Sequence, residues 1–306
     1  MTVSRLPKPP KRPIHGVLLL DKPLGMSSNK ALQTTRWHYH AEKAGHTGVL
    51  DPLATGLLPV CLGEATKFSA HLLDADKGYT ATVRFGHYSS TGDLEGELTP
   101  GERPIDFDQA GLLAAMASLT GPIEQVPPMY SALKHQGRSL YEYARQGVEI
   151  ERKPRQVVIH RLELLSFDGQ DAVLDVQCSK GTYVRTLASD LGALLGCGAH
   201  LTALRRTKIG PFELDVSLPL ADFEAVPAED REGRLAPMDA LLVHLPVLSL
   251  DAAQARSLTH GQPAQGCDGE PGRMVRAYEG EHFLGVATYG EEGELIPTRL
   301  VATGNR

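Results

Sequence analysis

The segment 45–56, with the sequence GHTGVLDPLATG, restricts the backbone more than any other part of this chain. Gly48 and Gly56 can adopt positive φ angles or let another group approach the backbone closely. Pro52 fixes the chain just after Asp51 and biases Asp51 itself toward an extended conformation. A carboxylate held this rigidly on a loop is a candidate catalytic group, and the alternative is an ordinary Asp-Pro turn on the surface.

Hydrophobic patterns on both sides predict that this segment, the Asp51 loop, connects a helix to a buried strand. Residues 16–20 form a short apolar strand, and Ser27 or Ser28 can cap the helix that follows. After the loop, residues 57–62 are apolar and end at a glycine, which is typical of a buried strand. We therefore expect regular structure to hold the loop at both ends.

Helical and strand patterns alternate through the next part of the chain. In the strand beginning at Tyr79, alternation places the Tyr79 side chain with the apolar residues, toward the interior or a cleft. Residues 121–140 carry two adjacent prolines and are expected to be irregular and mobile until substrate orders them. The predicted elements are a helix over 66–73, a strand over 79–85, a helix over 108–119, paired strands over 157–167 and 172–178, a helix over about 182–195 and a strand over 201–208.

The sequence pattern changes near residue 243 to short strands with glycine turns, which predicts a second, smaller domain. An acidic, proline-containing stretch over 221–236 precedes the change. Short strands separated by glycine turns follow, as in small β-rich domains. Their predicted positions are 247–250, 274–278, 283–289 and 298–302.

Composition excludes several classes of protein. The chain has 306 residues, which is enough for one large domain and a small one. Its four cysteines lie far apart without a C-x-x-C pair, which argues against a zinc ribbon or a disulfide framework and favours free thiols in the cytoplasm. No apolar run approaches the length of a membrane span.

The charge distribution favours a nucleic-acid partner although the net charge is −6. Basic residues gather in an N-terminal arm over 1–13, ahead of the Asp51 loop, and again over 134–161, while acidic residues gather over 222–232 and 279–294. Phosphate binding depends on local positive patches and not on the total charge. Solvated helix faces remain the alternative explanation.

Six segments together resemble one known family. In this order and spacing they are similar to the bacterial tRNA pseudouridine-55 synthases, the TruB family, densely over about residues 14–210 and loosely beyond. The segments are LLLDKPLGMSS at 18–28, the Asp51 loop, DKGY at 76–79, MYSALK at 129–134, CSKGTYVRT at 178–186 and LRR at 204–206.

The resemblance implies an α+β fold, in which a mixed α/β catalytic domain with a mostly antiparallel central sheet precedes a PUA-like C-terminal domain. The expected bounds are a flexible basic arm over 1–13, the catalytic domain over 14–242 with an RNA-clamping insertion over about 125–155, and the PUA-like domain over 243–306. The implied activity converts uridine 55 in the T-loop of tRNA to pseudouridine. It implies no cofactor, no metal, no membrane and no obligatory protein partner, in a cytoplasmic monomer.

The resemblance also assigns the central catalytic roles. Asp51 matches the essential aspartate, Arg185 would keep it ionised and oriented, and Tyr79 would stack on the target uracil. The first turn of a helix is a poor place for an unpaired cation, which favours a carboxylate or phosphate partner for Arg185. Whether Asp51 adds to the sugar or removes its 2′ proton stays open.

Four further residues receive roles only through the resemblance, since each would otherwise be an ordinary turn or core residue. Tyr183 and Leu204 match positions that line the uracil pocket. His46 matches a residue that fills the space left by extruded bases. Lys22 matches the lysine of a K-P-x-G turn and is expected to support the tyrosine or the loop.

Two other functions stay open at this point. The first is the guide-RNA-dependent relative, which shares this catalytic core and works within a multi-protein particle. The second is a non-enzymatic RNA-binding protein, and a tRNA-folding activity could also accompany catalysis. Aromatic and basic residues of the insertion suit contacts with single-stranded RNA in either case.

Overall fold

A mixed sheet of ten strands carries the Asp51 loop in the computed structural model, which describes residues 10–302. The strands of the chain are β1 (Gly16–Lys22), β2 (Ala44–His46), β3 (Ala54–Leu62), β4 (Lys77–Phe85), β5 (His87–Ser89), β6 (Leu98–Pro100), β7 (Gly121–Gln125), β8 (Lys134–His135), β9 (Arg138–Ser139), β10 (Arg155–Phe167), β11 (Asp171–Cys178), β12 (Ala199–Ile209), β13 (Phe212–Glu213), β14 (Leu218–Pro219), β15 (Val247–Ser249), β16 (Ala264–Gln265), β17 (Met274–Glu279), β18 (His282–Tyr289) and β19 (Glu294–Leu300).

The helices pack around these strands. The α-helices are α1 (Ser28–Tyr39), α2 (Ala70–Leu73), α3 (Gln109–Ser118), α4 (Leu140–Ala144), α5 (Val184–Leu195), α6 (Leu220–Ala225) and α7 (Ala252–Thr259). Short 3₁₀ helices span Gly63–Phe68, Leu214–Val216, Ala228–Asp230, Glu232–Arg234 and Met238–Leu242.

Strand order in the large sheet is β14-β1-β3-β12-β4-β11-β10-β7, with β2 paired to β3 and β13 to β12. Among the described residues, the β1–β14 and β3–β12 pairs are parallel and the other pairs of this sheet are antiparallel. The expected α+β fold with a mostly antiparallel central sheet is confirmed. Because β12 lies between β3 and β4, the Asp51 loop, Tyr79 and Leu204 meet at one end of the sheet.

A capping side chain fixes the start of α1, and a glycine fixes the end of α5. The Ser27 side chain accepts a hydrogen bond from the backbone N–H of Lys30 and so begins α1, as the sequence predicts. Helix α5 ends at Gly196, whose φ of 75° lies in the left-handed region that favours glycine. Both helices pack on the central sheet through an apolar core.

The helix predicted over 66–73 is α-helical only in its second half, over Ala70–Leu73. The chain forms the 3₁₀ helix Gly63–Phe68 and only then the single turn of α2. The hydroxyl of Thr66 donates to the carbonyl of Gly63 at 2.8 Å, and that of Ser69 donates to Thr66 at 3.0 Å. Hydroxyl side chains that bind nearby carbonyls compete with regular helical hydrogen bonding.

Two more segments differ from expectation. Residues 121–125, expected to be irregular, form the edge strand β7, which pairs with β10. The last strand, predicted over 298–302, is β19 and begins four residues earlier, since Glu294 pairs with Gln265. Long-range pairing sets both strands, and local sequence alone does not reveal it.

A second sheet forms from the C-terminal segment, in the order β15-β17-β18-β19-β16, with α7 against it. An apolar cluster joins it to the large sheet, and Phe68 and Phe283 meet there at 5.4 Å between ring centroids. Lys67 Nζ also donates to the carbonyl of Leu300 at 2.9 Å. The two sheets are therefore held together by both packing and hydrogen bonds.

Residues 1–9 of the expected basic arm lie outside the described residues. At the end of the arm, the backbone N–H of Arg12 donates to His40 at 2.8 Å, and its guanidinium pairs with Glu232. All four cysteines are buried free thiols. None of the helices within residues 10–302 has the length and apolar character needed to cross a bilayer.

Candidate active site

Hydrogen bonds from α1 and the preceding turn fix the backbone of the Asp51 loop. The Ser28 hydroxyl binds both the N–H and the C=O of Leu50, at 2.7 and 2.9 Å. On the other side of the acid, the N–H of Gly25 donates to the carbonyl of Pro52 at 2.8 Å. The loop presents Asp51 as a rigid group, as the glycines and proline predict.

Asp51 forms an ion pair with Arg185, the residue that the sequence assigns to it. Nη2 of Arg185 lies 3.0 Å from Oδ2 of Asp51, and Nε lies 3.7 Å from Oδ2 of Asp93. The same guanidinium donates to the carbonyls of Thr91 at 2.9 Å and Tyr130 at 2.7 Å. The arginine on the first turn of α5 thus has the anionic partners that its position requires.

Burial and the neighbouring charges have opposite effects on the Asp51 carboxyl. Its side chain keeps 40% of its surface exposed at the mouth of a cleft, while those of Arg185 and Asp93 are 7% and 4% exposed. Burial raises the pKa of Asp51, the Arg185 charge lowers it, and the nearby Asp93 carboxylate raises it again. The contact with Arg185 therefore offsets part of the effect that burial and Asp93 have on the Asp51 carboxyl.

A cavity of about 320 Å³ opens on one side of Asp51 and contains most of the predicted uracil pocket. Tyr79, Tyr183 and Leu204 all line it. Tyr79 is 8% exposed, and burial raises the pKa of its phenol, which stays neutral near pH 7. Two aromatic rings and a leucine beside a carboxylate form a site that suits a flat, uncharged base.

A second cavity of about 340 Å³ lies on the other side of the Asp51–Arg185 pair. His46 lines this cavity and not the first, together with Asp93, Tyr130 and Tyr141. Burial lowers the pKa of His46, which favours the neutral ring, and its Nδ1 has no hydrogen-bond partner in the part of the chain that the structure describes. A neutral ring with a free polar atom can both stack and hydrogen-bond.

Lys22 lies behind the loop and lines neither cavity. Its Nζ donates to the carbonyls of Pro23 at 2.9 Å and Met26 at 2.5 Å, so it fixes the turn that precedes α1. The side chain is fully buried, and burial lowers its pKa to about 8. The contacts of this lysine are thus with the turn before α1, and its expected support of the tyrosine or the loop stays a prediction.

Three residues of the site were not singled out from the sequence. Asp93 pairs with Arg185. It lies between two glycines in the sequence GDLEG, as Asp51 does in its loop, and this likeness could have identified it as a site residue. Ser131 is 6% exposed, lines both cavities, and its hydroxyl has no hydrogen-bond partner within residues 10–302. Arg206 lines the first cavity, but only the strand register reveals its surroundings.

Comparison with known proteins identifies the chain's family. A family model described as TruB family pseudouridylate synthase, N-terminal domain, matches residues 36–184. Models for a tRNA pseudouridylate synthase B C-terminal domain and for a pseudouridine synthase II TruB C-terminal region match residues 185–243 and 246–301. A curated tRNA pseudouridine synthase B of Chromobacterium violaceum is 57% identical over 299 residues, which cover 97% of both chains. The chain belongs to the TruB family of pseudouridylate synthases.

Other members are similar over the same length. The tRNA pseudouridine synthase B of Aromatoleum aromaticum is 55% identical over 303 residues, which cover 99% of this chain and 98% of the relative. A chain in a crystal structure of a Cbf5-Nop10-Gar1 complex is 26% identical, with a TM-score of 0.70 and coverage of 94% of this chain and 84% of that one. This TruB-family protein is therefore a pseudouridine synthase, an isomerase.

Proposed function

We propose that this protein converts uridine 55 of tRNA to pseudouridine within the T-loop, with Asp51 as the central catalytic residue. One observation supports this above all: the Asp51 carboxylate, paired with Arg185, borders a cavity lined by Tyr79 and Leu204. Relatives at 52–57% identity that carry the name tRNA pseudouridine synthase B support tRNA as the substrate.

The proposed reaction breaks one bond of the nucleotide and makes another. The C1′–N1 bond breaks with its electrons passing to the uracil, the uracil turns, and C5 bonds to C1′. The C5 proton leaves and N1 gains a proton, so atoms and electrons balance without an oxidant or a cofactor. Leu204 and Tyr183 would hold the uracil while it turns, and Tyr79 would stack on it. The neutral phenol of Tyr79 would relay the C5 proton, releasing its own proton to solvent as it accepts the one from C5.

Asp51 can begin this sequence in two ways. As a nucleophile it would add to C1′ of the ribose and release the uracil anion. As a base it would remove the 2′ proton and leave a glycal-like sugar. In both routes Asp51 must be ionised, and Arg185 supports that state by direct contact.

Base extrusion would use the second cavity. A uridine within a folded T-loop is not accessible, so the enzyme must first take it out of the stack. We propose that His46 occupies the space that the extruded bases leave, since its neutral ring can stack there. The insertion over about 125–155 would then contact the loop through its aromatic and basic side chains. Arg145 lies 5.0 Å from the Tyr141 ring, and Arg138 lies 4.8 Å from the Tyr143 ring.

The stand-alone activity is the preferred form of the proposal. The chain spans nearly the full length of relatives named tRNA pseudouridine synthase B, whereas the chain from the Cbf5-Nop10-Gar1 complex is only 26% identical. We therefore propose a monomer that needs no guide RNA or partner protein, with the catalytic domain over 14–242 and the PUA-like domain over 243–306. The C-terminal domain would extend the contact to the RNA.

Modification mapping tests this proposal directly. Purified protein is incubated with a bare T-arm stem-loop transcript, and pseudouridine is located by position. We expect modification at uridine 55 alone, without added guide or protein. A matched transcript with cytidine at position 55 controls for modification elsewhere. Activity that requires a guide RNA, or modification at another uridine, would contradict the proposal.

A further inference from the structure

Arg206 is a buried cation that has no anionic partner among the residues that the structure describes. Its side chain is 1% exposed, and within residues 10–302 it forms no ion pair with a carboxylate. Burying an unpaired charge is costly, so a purely structural position would more easily hold an apolar side chain. The neighbouring Arg205 shows the contrast, since it is half-exposed and pairs with Asp21 at 2.6 Å.

The guanidinium of Arg206 instead binds the two sides of the Asp51 loop. Its Nε donates to the carbonyl of Leu57 at 2.7 Å, just after the loop, and Nη2 lies 3.4 Å from the carbonyl of Gly48, within it. A single planar group thus spans the segment that carries Asp51. Two donors fixed in one plane restrict both contacts at once, which a flexible ammonium group cannot do.

Two glycines of the Asp51 loop lie close to Arg206. A Cβ on Gly56, where φ is 100°, would lie 2.3 Å from the backbone oxygen of Arg206. A Cβ on Gly48, where φ is 131°, would lie 3.5 Å from its Nη1. Gly56 therefore lets the backbone of β12 come close at Arg206, whereas at Gly48 a side chain would meet the guanidinium at an ordinary distance and glycine is favoured by the positive φ.

Tyr79 lies on the other side of Arg206. The register of the sheet pairs Arg206 with Gly56 of β3 and with Tyr79 of β4, so the three residues form one row. The charge of Arg206 lowers the pKa of the Tyr79 phenol and so opposes the effect of burial, which raises it. Tyr79 and Arg206 also line the same cavity.

We propose that Arg206 is a positioning residue that holds the Asp51 loop and the Tyr79 hydroxyl in one fixed arrangement. The inference rests on the proposed function and deepens it, because the Asp51 loop leads into β3 and Tyr79 lies on β4, and these strands are not neighbours in the sheet. Arg206 lies on β12 between them, donates to carbonyls on both sides of Asp51 and pairs in register with Tyr79. An apolar residue could fill the same space but could not orient the Asp51 loop and the Tyr79 hydroxyl, so the proposed role requires the guanidinium.

The variants Arg206→Lys and Arg206→Gln test this proposal, with Arg205→Lys as the matched control on the same strand. Arg206→Lys keeps the charge and loses the planar fork, while Arg206→Gln loses the charge. We expect the single-turnover rate of pseudouridine formation to fall about 100-fold in Arg206→Lys, and further in Arg206→Gln, because small misplacements of reacting groups cost about that factor. T-arm affinity should stay within about twofold of wild type, since the arginine is buried away from phosphates.

A second measurement separates positioning from simple folding. Tyr79→Phe is combined with Arg206→Lys, and rates are compared in a double-mutant cycle. We expect Tyr79→Phe to have a much smaller effect in the Arg206→Lys background than in wild type, because residues that act as a unit are not additive. Additive effects would overturn the link between Arg206 and Tyr79.

The remaining outcomes are also decisive. An Arg206→Lys rate within threefold of Arg205→Lys would overturn the positioning role while leaving the proposed function intact. Failure of both Arg206 variants to fold, seen as loss of the cooperative melting transition, would overturn it in favour of a structural role. An inactive wild-type protein would instead overturn the proposed function itself.

Discussion

The two sides of the Asp51 loop hold their buried arginines in different ways. On the acidic side, Arg185 contacts the carboxylates of Asp51 and Asp93. On the basic side, Arg206 donates to backbone carbonyls and pairs in register with Tyr79, with Lys22 close enough for the two charges to repel. The acidic side therefore orients the carboxylate that we propose as the reacting group. On the basic side, we propose that Arg206 holds the neutral Tyr79 phenol in place.

The largest expected effect comes from removing the charge on the acidic side. Asp51→Asn keeps the size of the side chain but abolishes the nucleophile or base in both proposed routes. We expect the rate of pseudouridine formation to fall at least about a thousandfold while T-arm binding persists. Single-turnover assays and a binding titration measure the two effects, and normal turnover would remove Asp51 from the proposed chemistry.

Asp93→Asn weakens the acidic side without changing the proposed reacting group. Loss of the contact with Arg185 should lower kcat/KM about ten- to a hundredfold. It also removes a like charge that raises the pKa of Asp51. Because Asp51 must be ionised, activity falls as pH decreases through this pKa, and the variant should lose activity at lower pH than wild type.

The pH dependence of kcat/KM in both proteins measures that shift. Glu97→Gln is the matched control, since Glu97 is an exposed acid of the same segment that lines neither cavity and contacts neither Asp51 nor Arg185 through an ion pair in the described chain. An acid limb that stays in place in Asp93→Asn would contradict the assigned source of the Asp51 shift.

Sequence patterns predicted the acidic side better than the basic side, for a physical reason. The resemblance to the TruB family assigned Arg185 to Asp51, and local patterns supported the pair, because glycine and proline around Asp51 act on the local backbone and the cation at the start of α5 needs an anion. The contacts of Arg206 depend on β12 lying between β3 and β4, which no local pattern encodes. Element order was likewise predictable, whereas the pairing of β7 and the 3₁₀ turn after β3 were not.

His46→Ala tests the second cavity and should have a smaller effect. If the ring takes the place of extruded bases, its loss matters most when the target base must leave a folded loop. We expect kcat/KM to fall about tenfold on the T-arm stem-loop and about twofold on a single-stranded oligonucleotide of the same loop sequence. Equal losses on both substrates would mean that His46 acts on something other than extrusion.

The smallest effect is expected at Lys22, where the basic side meets the turn before α1. The folded pKa of Lys22 is about 8, below its ordinary value of 10.5, so between these values the unfolded chain binds more protons than the folded one. Raising the pH through this window must therefore favour the folded state. Lys22→Met has no such group, so the stability of wild type relative to Lys22→Met should rise between pH 7.5 and 9.5, by at most about 2 kcal/mol. Urea denaturation of both proteins at the two pH values measures the difference. A constant difference would mean that Lys22 is solvated enough to keep its ordinary pKa, and the basic side would then rest on Arg206 alone.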